Sequence, residues 1–569
     1  MSSIAQLPEA VISAIAENEE ALWAWVSEQH YAEVIEQAGD HLLVLVKKRF
    51  SLARLAELCA GYHVYSGKQG QEPTYPIVAL CWMLLLKYLN GWSLAKTAEE
   101  VQSNSLARWF CGFRLKQATP SYVTLFRFEQ WVKEHEPYAF FVETLKQIDE
   151  DFPEEQTAIQ IGDTFAMYSV ARVQSRTELL RDSCQRLLGY LDQVVPTAYT
   201  QVMAALDGAA LFGKADELPE AWLEVEVRRR LEERTAVAAS GCRQLVQQAL
   251  ANITLAPSIE CEALQRWLER VGKILKDEFT FESDQTGVVL KATLRPKHEK
   301  GSFSIGSTID PEATFRYHHG HHDLGYNVSI AATTNFIREI AAATGAAADA
   351  AGVAPLIAVQ RERLGSVPPY LLYDQAAGTP KIFADVAKAS DGQTQLVARL
   401  IDYTKSRERF GPQDFTLEGG PNGTRELVCP NGVHTSRAYP AKDSAGFKFR
   451  FLASQCKGCP LWGKCREKDS KPTGHRNVFI SDYQLQQRQA IAFTQSPAGK
   501  ALLKLRPQVE HIIAALVRFN GARRAKSTGV DSADFQAKMT AVAYNFKRWR
   551  TLIIERLKPK QAQSPPADG

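Results

Sequence analysis

The order of strand-like and helical segments between Thr157 and Leu516 constrains this chain more than any other feature. Thr157-Ala-Ile-Gln-Ile-Gly162 reads as a strand ending at Asp163. Strand patterns return at Val288–Leu294, at Ser302–Ser307 and at Tyr326-Asn-Val-Ser-Ile-Ala331. A helix over Ala347–Leu364 precedes a short apolar strand, Pro369–Tyr373, which ends at Asp374. A helix at Lys381–Ala389 and a strand at Gln395–Ile401 follow. Beyond Pro497 a helical stripe carries Leu502, Leu505, Val509, Ile512, Ile513 and Leu516. The periods of two and 3.6 separate these assignments. The fold class they predict is α/β, a mixed sheet flanked by helices. Two blocks interrupt it: a helical insertion over 170–285 and a Gly-, Pro-, Cys- and Lys-rich insertion over 405–480.

Without those blocks the order is a run of strands, a helix, a strand, a helix, a strand and a long helix. That is the order of an RNase H-like core, here assembled from 151–169, 286–404 and 481–556. Ligand sites in open sheets form outside the carboxyl ends of strands. Asp163 and Asp374 both fall there, and a helix packed across the sheet can add Glu510. Three carboxylates suit two Mg²⁺ ions, which take hard oxygen ligands. Such a pair can stabilise the attacking and the leaving oxygen of an in-line phosphoryl transfer. Each acid also has an ordinary reading. Asp163 could make a strand-end Asx-turn, Asp374 could cap a turn, and Glu510 could pair with Arg506 four residues earlier. Asp310 is a lesser candidate for the second carboxylate.

Composition enters through its distribution. Of 569 residues, 45 % are hydrophobic and 23 % charged, which excludes a disordered, collagen-like or disulfide-stapled chain. The net charge of +3 hides segregation. Lys500–Lys560 holds fourteen basic and four acidic residues, and Arg437–Arg476 holds ten and three. Two basic regions on an otherwise acidic chain predict a polyanion partner. The longest apolar run, Ile77–Leu86, is about half of what a bilayer span requires. No Lys or Arg precedes Lys47, so the expectation is a cytoplasmic chain with reduced thiols and no membrane partner.

The first 150 residues read as a helical unit of helix-turn-helix type. Pro76 opens an apolar helix, Asn90-Gly91 makes a turn, and Ser93 and Ser121 cap the next helices. Cys429, Cys456, Cys459 and Cys465 lie in one loop-rich stretch and predict a structural Zn²⁺, with His434 able to replace a thiol. Cys59, Cys81, Cys111, Cys184, Cys242 and Cys261 read as core thiols. His318, His319, His321 and His322 read as a polar hairpin loop, and the tail over 557–569 as disordered.

Four stretches resemble the DDE transposases of bacterial insertion sequences. They are Pro76–Val132 with Leu125-Phe-Arg-Phe-Glu129, and Ile159-Gln-Ile-Gly-Asp-Thr-Phe165. Asp310-Pro-Glu-Ala313 with Gly325-Tyr-Asn327 is the third. The last is Arg506-Pro-Gln-Val-Glu510 with Gly521-Ala-Arg-Arg524, Gln536 and Asn545-Phe-Lys-Arg548. The resemblance implies a catalytic triad of Asp163, Asp374 and Glu510 holding two Mg²⁺ or Mn²⁺ ions. It implies cleavage and joining of double-stranded DNA, the element's terminal inverted repeats and a target, by a homodimer or larger assembly. The DNA-contacting residues would be Arg506, Arg518, Arg523, Arg524, Lys526, Lys547 and Arg548. Where relatives often have a tyrosine upstream of the arginine and a lysine after the glutamate, this chain has Leu503 and Val517. The alternatives are a nuclease that cuts without joining and an inactive DNA-binding regulator.

Overall fold

The structure, a computed structural model, describes residues 19–66, 75–213, 224–318, 320–400, 409–419, 425–441, 445–466 and 474–557. His319, residues 401–408 and nearly all of the expected disordered tail lie outside them. β1 (Gln160–Tyr168) is the spine of the main sheet. On one side it pairs antiparallel with β5 (His321–Ala332), which pairs antiparallel with β6 (Ile337–Thr344). On the other it pairs parallel with β7 (Tyr370–Leu372), followed in parallel by β8 (Gln395–Val397). A further strand, β4 (Thr314–His318), forms a hairpin with the start of β5 through Gly320. This is a mixed α/β sheet in RNase H-like order.

Side-chain alternation divides the sheet into two faces. Ile161, Phe165, Met167, Val328, Ile330 and Leu372 pack into one core with Val509, Ile512 and Leu516. Leu371, Tyr373 and Ala331 pack into another with Val353, Leu356 and Ile357.

The N-terminal helices share the first core rather than forming a separate one. They are α1 (Glu19–Ala38), α2 (Leu42–Arg49), α3 (Ala53–Leu58), α4 (Gly61–Ser66), α5 (Ile77–Asn90), α6 (Leu94–Ser103), α7 (Ser105–Cys111), α8 (Tyr122–His135) and α9 (Ala139–Asp151). The expected caps form: Ser93 accepts from Lys96 N and Ser121 from Thr124 N, and Gly91 ends α5 at φ +67°. α5 and α6 meet at a bend of 111°, within the range of helix-turn-helix pairs. Among the described residues no single helix is long and apolar enough to cross a membrane.

The expected strand over Val288–Leu294 forms, but outside the main sheet. β2 (Phe279–Ser283) and β3 (Val289–Leu294) make a hairpin against the helical insertion. That insertion contains α10 (Arg176–Val194), α11 (Pro196–Ala205), α12 (Gly208–Phe212), α13 (Val225–Leu250) and α14 (Ile259–Glu278). Its core runs on through Phe279, Ala292 and Ile305. Ser302–Ser307 is not a strand; Ile305 makes only a bridge to Thr314. In the main sheet the expected strand Tyr326–Ala331 forms within β5, and its neighbours besides β1 are β6 and β4, which the sequence did not mark. The Ala-rich sequence of β6 lacks the β-branched alternation that marks a strand.

The second half adds α15 (Val353–Leu364) and α16 (Pro380–Ala389) beside β7 and β8. Two three-stranded sheets follow. One contains β9 (Thr416–Gly419), β10 (Arg425–Val428) and β11 (His434–Thr435); the other contains β12 (Ala438–Pro440), β13 (Gly446–Phe451) and β14 (Arg476–Ser481). The chain returns to the core through α17 (Gln484–Gln495), α18 (Pro497–Leu503), α19 (Gln508–Phe519) and α20 (Val530–Leu557).

α20 also satisfies the open edge of β6. Asp534 accepts from Ala342 N at 2.9 Å, and Asn545 accepts from Ile337 N at 2.9 Å and donates to Ile337 O at 3.0 Å. An edge strand left with unpaired amides is a site for unwanted pairing. Next to it, Arg338 donates to both carboxylate oxygens of Asp149 on α9, and both side chains are buried. Asp149→Ala should therefore destabilise the fold by about 3–5 kcal/mol, because it strands a buried guanidinium. Replacing both partners by apolar residues should cost less, as urea denaturation would show.

Glu339, the next residue of β6, is 2 % exposed. Burial pushes its carboxyl up to about 7, against the pull of Lys538. A folded-state pKa above the unfolded one means that the native state holds the extra proton. Stability should fall as pH rises from the ordinary glutamate range of about 4.3 toward 7. Glu339→Gln should flatten that part of the pH–stability curve.

Candidate active site

β1 sets the site by its period. Asp163 lies between Ile161 and Phe165 and shares their face, toward α19. It is not at a strand end as expected, because β1 continues to Tyr168. What ends near Asp163 is the partner strand. β7 pairs Gln160 with Leu371 and Ile161 with Leu372 and then stops. Two residues further along the same register, Asp163 comes level with Asp374, on the same face by alternation. Asp374 leaves the strand and caps the following 3-10 turn, its Oδ1 accepting from Ala376 N at 3.0 Å. The capping role and the placement beside Asp163 hold together.

Gly162 permits this approach. A Cβ there would meet the Tyr373 ring at 2.5 Å. Tyr373 is 1 % exposed, so the ring has little room to retreat.

Asp163 Oδ1 accepts from Thr164 N at 2.8 Å, and Oδ2 accepts from Arg506 Nη2 at 2.9 Å. Burial raises the Asp163 pKa, and the charges of Asp374 and Asp349 add to the rise, while the Thr164 amide and Arg506 oppose it. The net direction is upward, so this carboxylate sits where a negative charge is disfavoured. Such perturbation is common where a protein holds a cation or does acid–base work.

Arg506 precedes α19, whose Val509, Ile512 and Leu516 are buried toward β1. Glu510 lies one turn beyond Arg506, in the first turn of α19, where the helix dipole favours an acid. It is exposed, and its carboxylate makes no hydrogen bond or ion pair with a described residue. Among the described residues, no three His, Cys, Asp or Glu side chains lie close enough to hold one metal ion. The structure thus sets Asp163 beside Asp374, ties Arg506 to Asp163, and leaves Glu510 outside a closed three-acid cluster.

Asp310 is not part of this site. It is fully buried, accepting from Tyr326 Oη at 2.6 Å, from Ser169 Oγ and from Gly529 N at 3.1 Å. It fastens the loop between α19 and α20. That loop also adds to the end of β1, with Tyr168 N donating to Arg523 O at 2.9 Å and Ala525 N donating to Tyr168 O at 2.8 Å. Arg523, Arg524 and Lys526 are exposed there, and Arg518 is exposed at the end of α19. Lys547 and Arg548 are placed differently. Lys547 Nζ donates to Asn520 and Arg548 Nη2 to Asn335, and burial holds the Lys547 pKa below the usual lysine value.

Sequence reasoning missed Asp349 and Arg316. Asp349 accepts from Thr164 Oγ1 at 2.9 Å, Asn327 Nδ2 at 2.9 Å and Arg316 Nη2 at 3.1 Å. It braces the opposite face of β1 behind Asp163. Only the Gly325-Tyr-Asn327 motif signalled it, because Asn327 pairs with Ala166 in register.

The expected zinc site is not supported. Cys429, Cys456 and Cys465 are half-buried against a small core of Phe415, Leu427, Phe449, Phe451, Val478 and Ile480. The four thiols do not form a metal-holding group. Apolar alternation in β13 and β14, unrecognised in the sequence, supplies the packing that a metal was expected to provide. The described histidines sit at a hairpin as expected, but in its strands and not in its loop: His318 ends β4, and His321 and His322 open β5.

Residues 31–131 match the family described as Transposase domain (DUF772). Residues 428–550, which carry Arg506 and Glu510, match the family described as Transposase DDE domain. Together the two matches support an insertion-sequence DDE transposase. The two matches flank the segment with Asp163 and Asp374. No curated protein and no solved structure matches the chain. Members of this family generally use Mg²⁺ or Mn²⁺ and act on DNA.

Gly162→Ala tests the strand approach. It should cost about 1–3 kcal/mol in thermal unfolding, because the added methyl must push β7 from β1.

Proposed function

We propose that the chain cleaves the ends of its own DNA element and joins them to target DNA. The observation that carries this is the placement of Asp374, just past the end of β7, level with Asp163 on the parallel neighbour β1, with Arg506 on Asp163. The donor set fits Mg²⁺ or Mn²⁺. Mg²⁺ is usually held by one or two carboxylates with substrate phosphate oxygens completing its shell. Asp163 and Asp374 would hold the metal, and Glu510 would join them when DNA draws the start of α19 inward. Bound there, divalent ions supply charge stabilisation at the attacking and leaving oxygens.

The chain's own residues do the rest. Arg506 exchanges Asp163 for a phosphate oxygen of the substrate, to which its planar fork is suited. Arg518, Arg523, Arg524 and Lys526 hold the flanking backbone. Water attacks the phosphodiester bond first and leaves a free 3′-OH. That hydroxyl then attacks a target phosphodiester and displaces a second 3′-OH, so no covalent protein–DNA intermediate forms. Both ends must be held at once, which calls for a homodimer or larger assembly, acting in the cytoplasm.

The test is incubation of the purified chain with the DNA flanking its own gene, a plasmid target and Mg²⁺ or Mn²⁺. Asp163→Asn, Asp374→Asn and Glu510→Gln should each lower 3′-end cleavage by about 10³-fold or more while keeping DNA binding. Cleavage without joined product would favour the nuclease reading. A wild-type chain as inactive as all three variants would favour a DNA-binding regulator.

A further inference from the structure

The small sheet β12–β14 carries part of the basic stretch over Arg437–Arg476, and one of its faces is open. Alternation sends Phe449, Phe451, Val478 and Ile480 inward, into a core with Phe415 and Leu427. The residues between them face the other way. Register sets them in two rows of three: Tyr439, Lys448 and Phe479, then Arg437, Arg450 and Asn477. Arg437 precedes β12, and its carbonyl accepts from Arg450 N at 2.9 Å. Neighbours in a row stand about 4.8 Å apart, and the rows about 6.8 Å apart. Arg437, Tyr439, Lys448 and Asn477 are exposed.

Three observations bear on what covers this face. First, its cations have no acid. Arg437, Lys448 and Arg450 form no ion pair with a described residue. Asp482, just past β14, is taken by Arg425 at 3.2 Å, and Arg425 lies over Phe447 on the inner face. The acids of the stretch itself, Asp443, Glu467 and Asp469, lie outside the described residues. Second, Arg450 is held in place. Its guanidinium lies 5.1 Å from the centre of the Tyr439 ring, and its Nε donates to Asn477 Oδ1 at 3.3 Å. Both Nη groups are left without a described partner, and such a fork suits a phosphate. Third, the face is low. Phe479 lies across Gly446, where a Cβ would meet its ring at 2.9 Å, so the ring runs along the sheet beside Lys448.

A low face with three unpaired cations is the chemistry of a polyanion contact. The aromatic rings favour a duplex over an unpaired strand. Tyr439 is engaged by Arg450 and Phe479 by the sheet, so neither is held out for a base to stack on. The root of the insertion favours DNA over an acidic protein. Gln375 Nε2, in the turn that Asp374 caps, donates to Leu400 O at 3.4 Å, and Gly378 packs its backbone against Arg399 O. The chain therefore leaves β8 for the insertion at the same end of the sheet as the candidate active site.

We propose that the outer face of β12–β14 holds the phosphate backbone of duplex DNA outside the point of cleavage, with Arg437, Lys448 and Arg450 on phosphates and Tyr439 positioning Arg450. The cysteine-containing insertion is thereby a DNA-holding unit that reads no bases. This rests on the DNA-processing function proposed above.

The test is binding of a fluorescent duplex by the full-length chain over a salt series, with EDTA present so that no strand is cut. The triple variant Arg437→Gln, Lys448→Gln, Arg450→Gln alters only side chains of the open face and should melt as wild type does. Each phosphate contact adds about 0.9 to the slope of log affinity against log salt, so the variant should be shallower by about 2.7. Between about 50 and 200 mM salt, wild type should then lose about 40-fold more affinity than the variant. Tyr439→Ala keeps every charge and should weaken binding about two- to fivefold, whereas Tyr439→Phe, which keeps the ring, should bind as wild type does. An unchanged slope in the triple variant overturns the proposal. So does tighter binding of a single-stranded oligomer than of the duplex that Phe479→Ala abolishes, which would make the face a platform for bases. A changed oligomeric state of the triple variant in light scattering, with its DNA slope unchanged, overturns it in favour of an acidic surface on a second copy. Asp163→Asn should keep the wild-type slope. A shallower triple variant of a chain that cleaves no DNA would sink the enzymatic reading and leave the surface standing. Cleavage by wild type with an unchanged slope in the triple variant would do the reverse.

Discussion

The parallel pairing of β1 with β7 is the constraint on which the site depends. Two hydrogen-bonded pairs fix the register, and everything beyond them follows from alternation. Asp163 and Asp374 share a face because Ile161 and Leu372 do. The pairing is close because position 162 has no side chain and the Tyr373 ring fills the space. Burial raises the Asp163 pKa first, and the charge of the neighbouring Asp374 adds to the rise. A cation must offset that repulsion. In the structure Arg506 does so in part, from a helix that begins beside the strand.

The second organising element is α20. It packs against α5, α9 and β6, and its Asp534 and Asn545 complete the hydrogen bonding of the β6 edge. Phe535, Met539, Val542, Phe546 and Trp549 tie the N-terminal helices and the sheet into one hydrophobic core. The N-terminal helices are therefore rigidly placed relative to Asp163. Rigid placement matters because misplacing a reacting group by about 1 Å can cost about a hundredfold in rate.

Much of this was legible in the sequence where local rules decide the outcome. Ser93, Ser121 and Gly91 cap helices because their side chains, or the lack of one, meet a backbone need within a few residues. Asp163 and Asp374 were legible because short apolar runs ended near them. The rest depended on partners distant in sequence. β6 was missed because its Ala-rich run takes its strand character from β5 and α20. β3 was assigned to the wrong sheet because pairing with β2 is decided by the insertion's core, not by the strand itself. Asp349 and Arg316 were invisible because their significance is a hydrogen-bonded network joining three chain segments. The cysteine stretch suggested a metal because its thiols are conspicuous and its short alternating strands are not.

The account stands on two carboxylates that take a divalent cation in place of Arg506. Crystals of the chain with Mn²⁺ and duplex DNA from beside its own gene, measured by anomalous diffraction, would test this directly. A manganese peak between the Asp163 and Asp374 carboxylates, with Arg506 turned from Oδ2 to a phosphate, is the predicted result. Bound DNA with Arg506 still on Asp163 and no manganese between the two acids would contradict it.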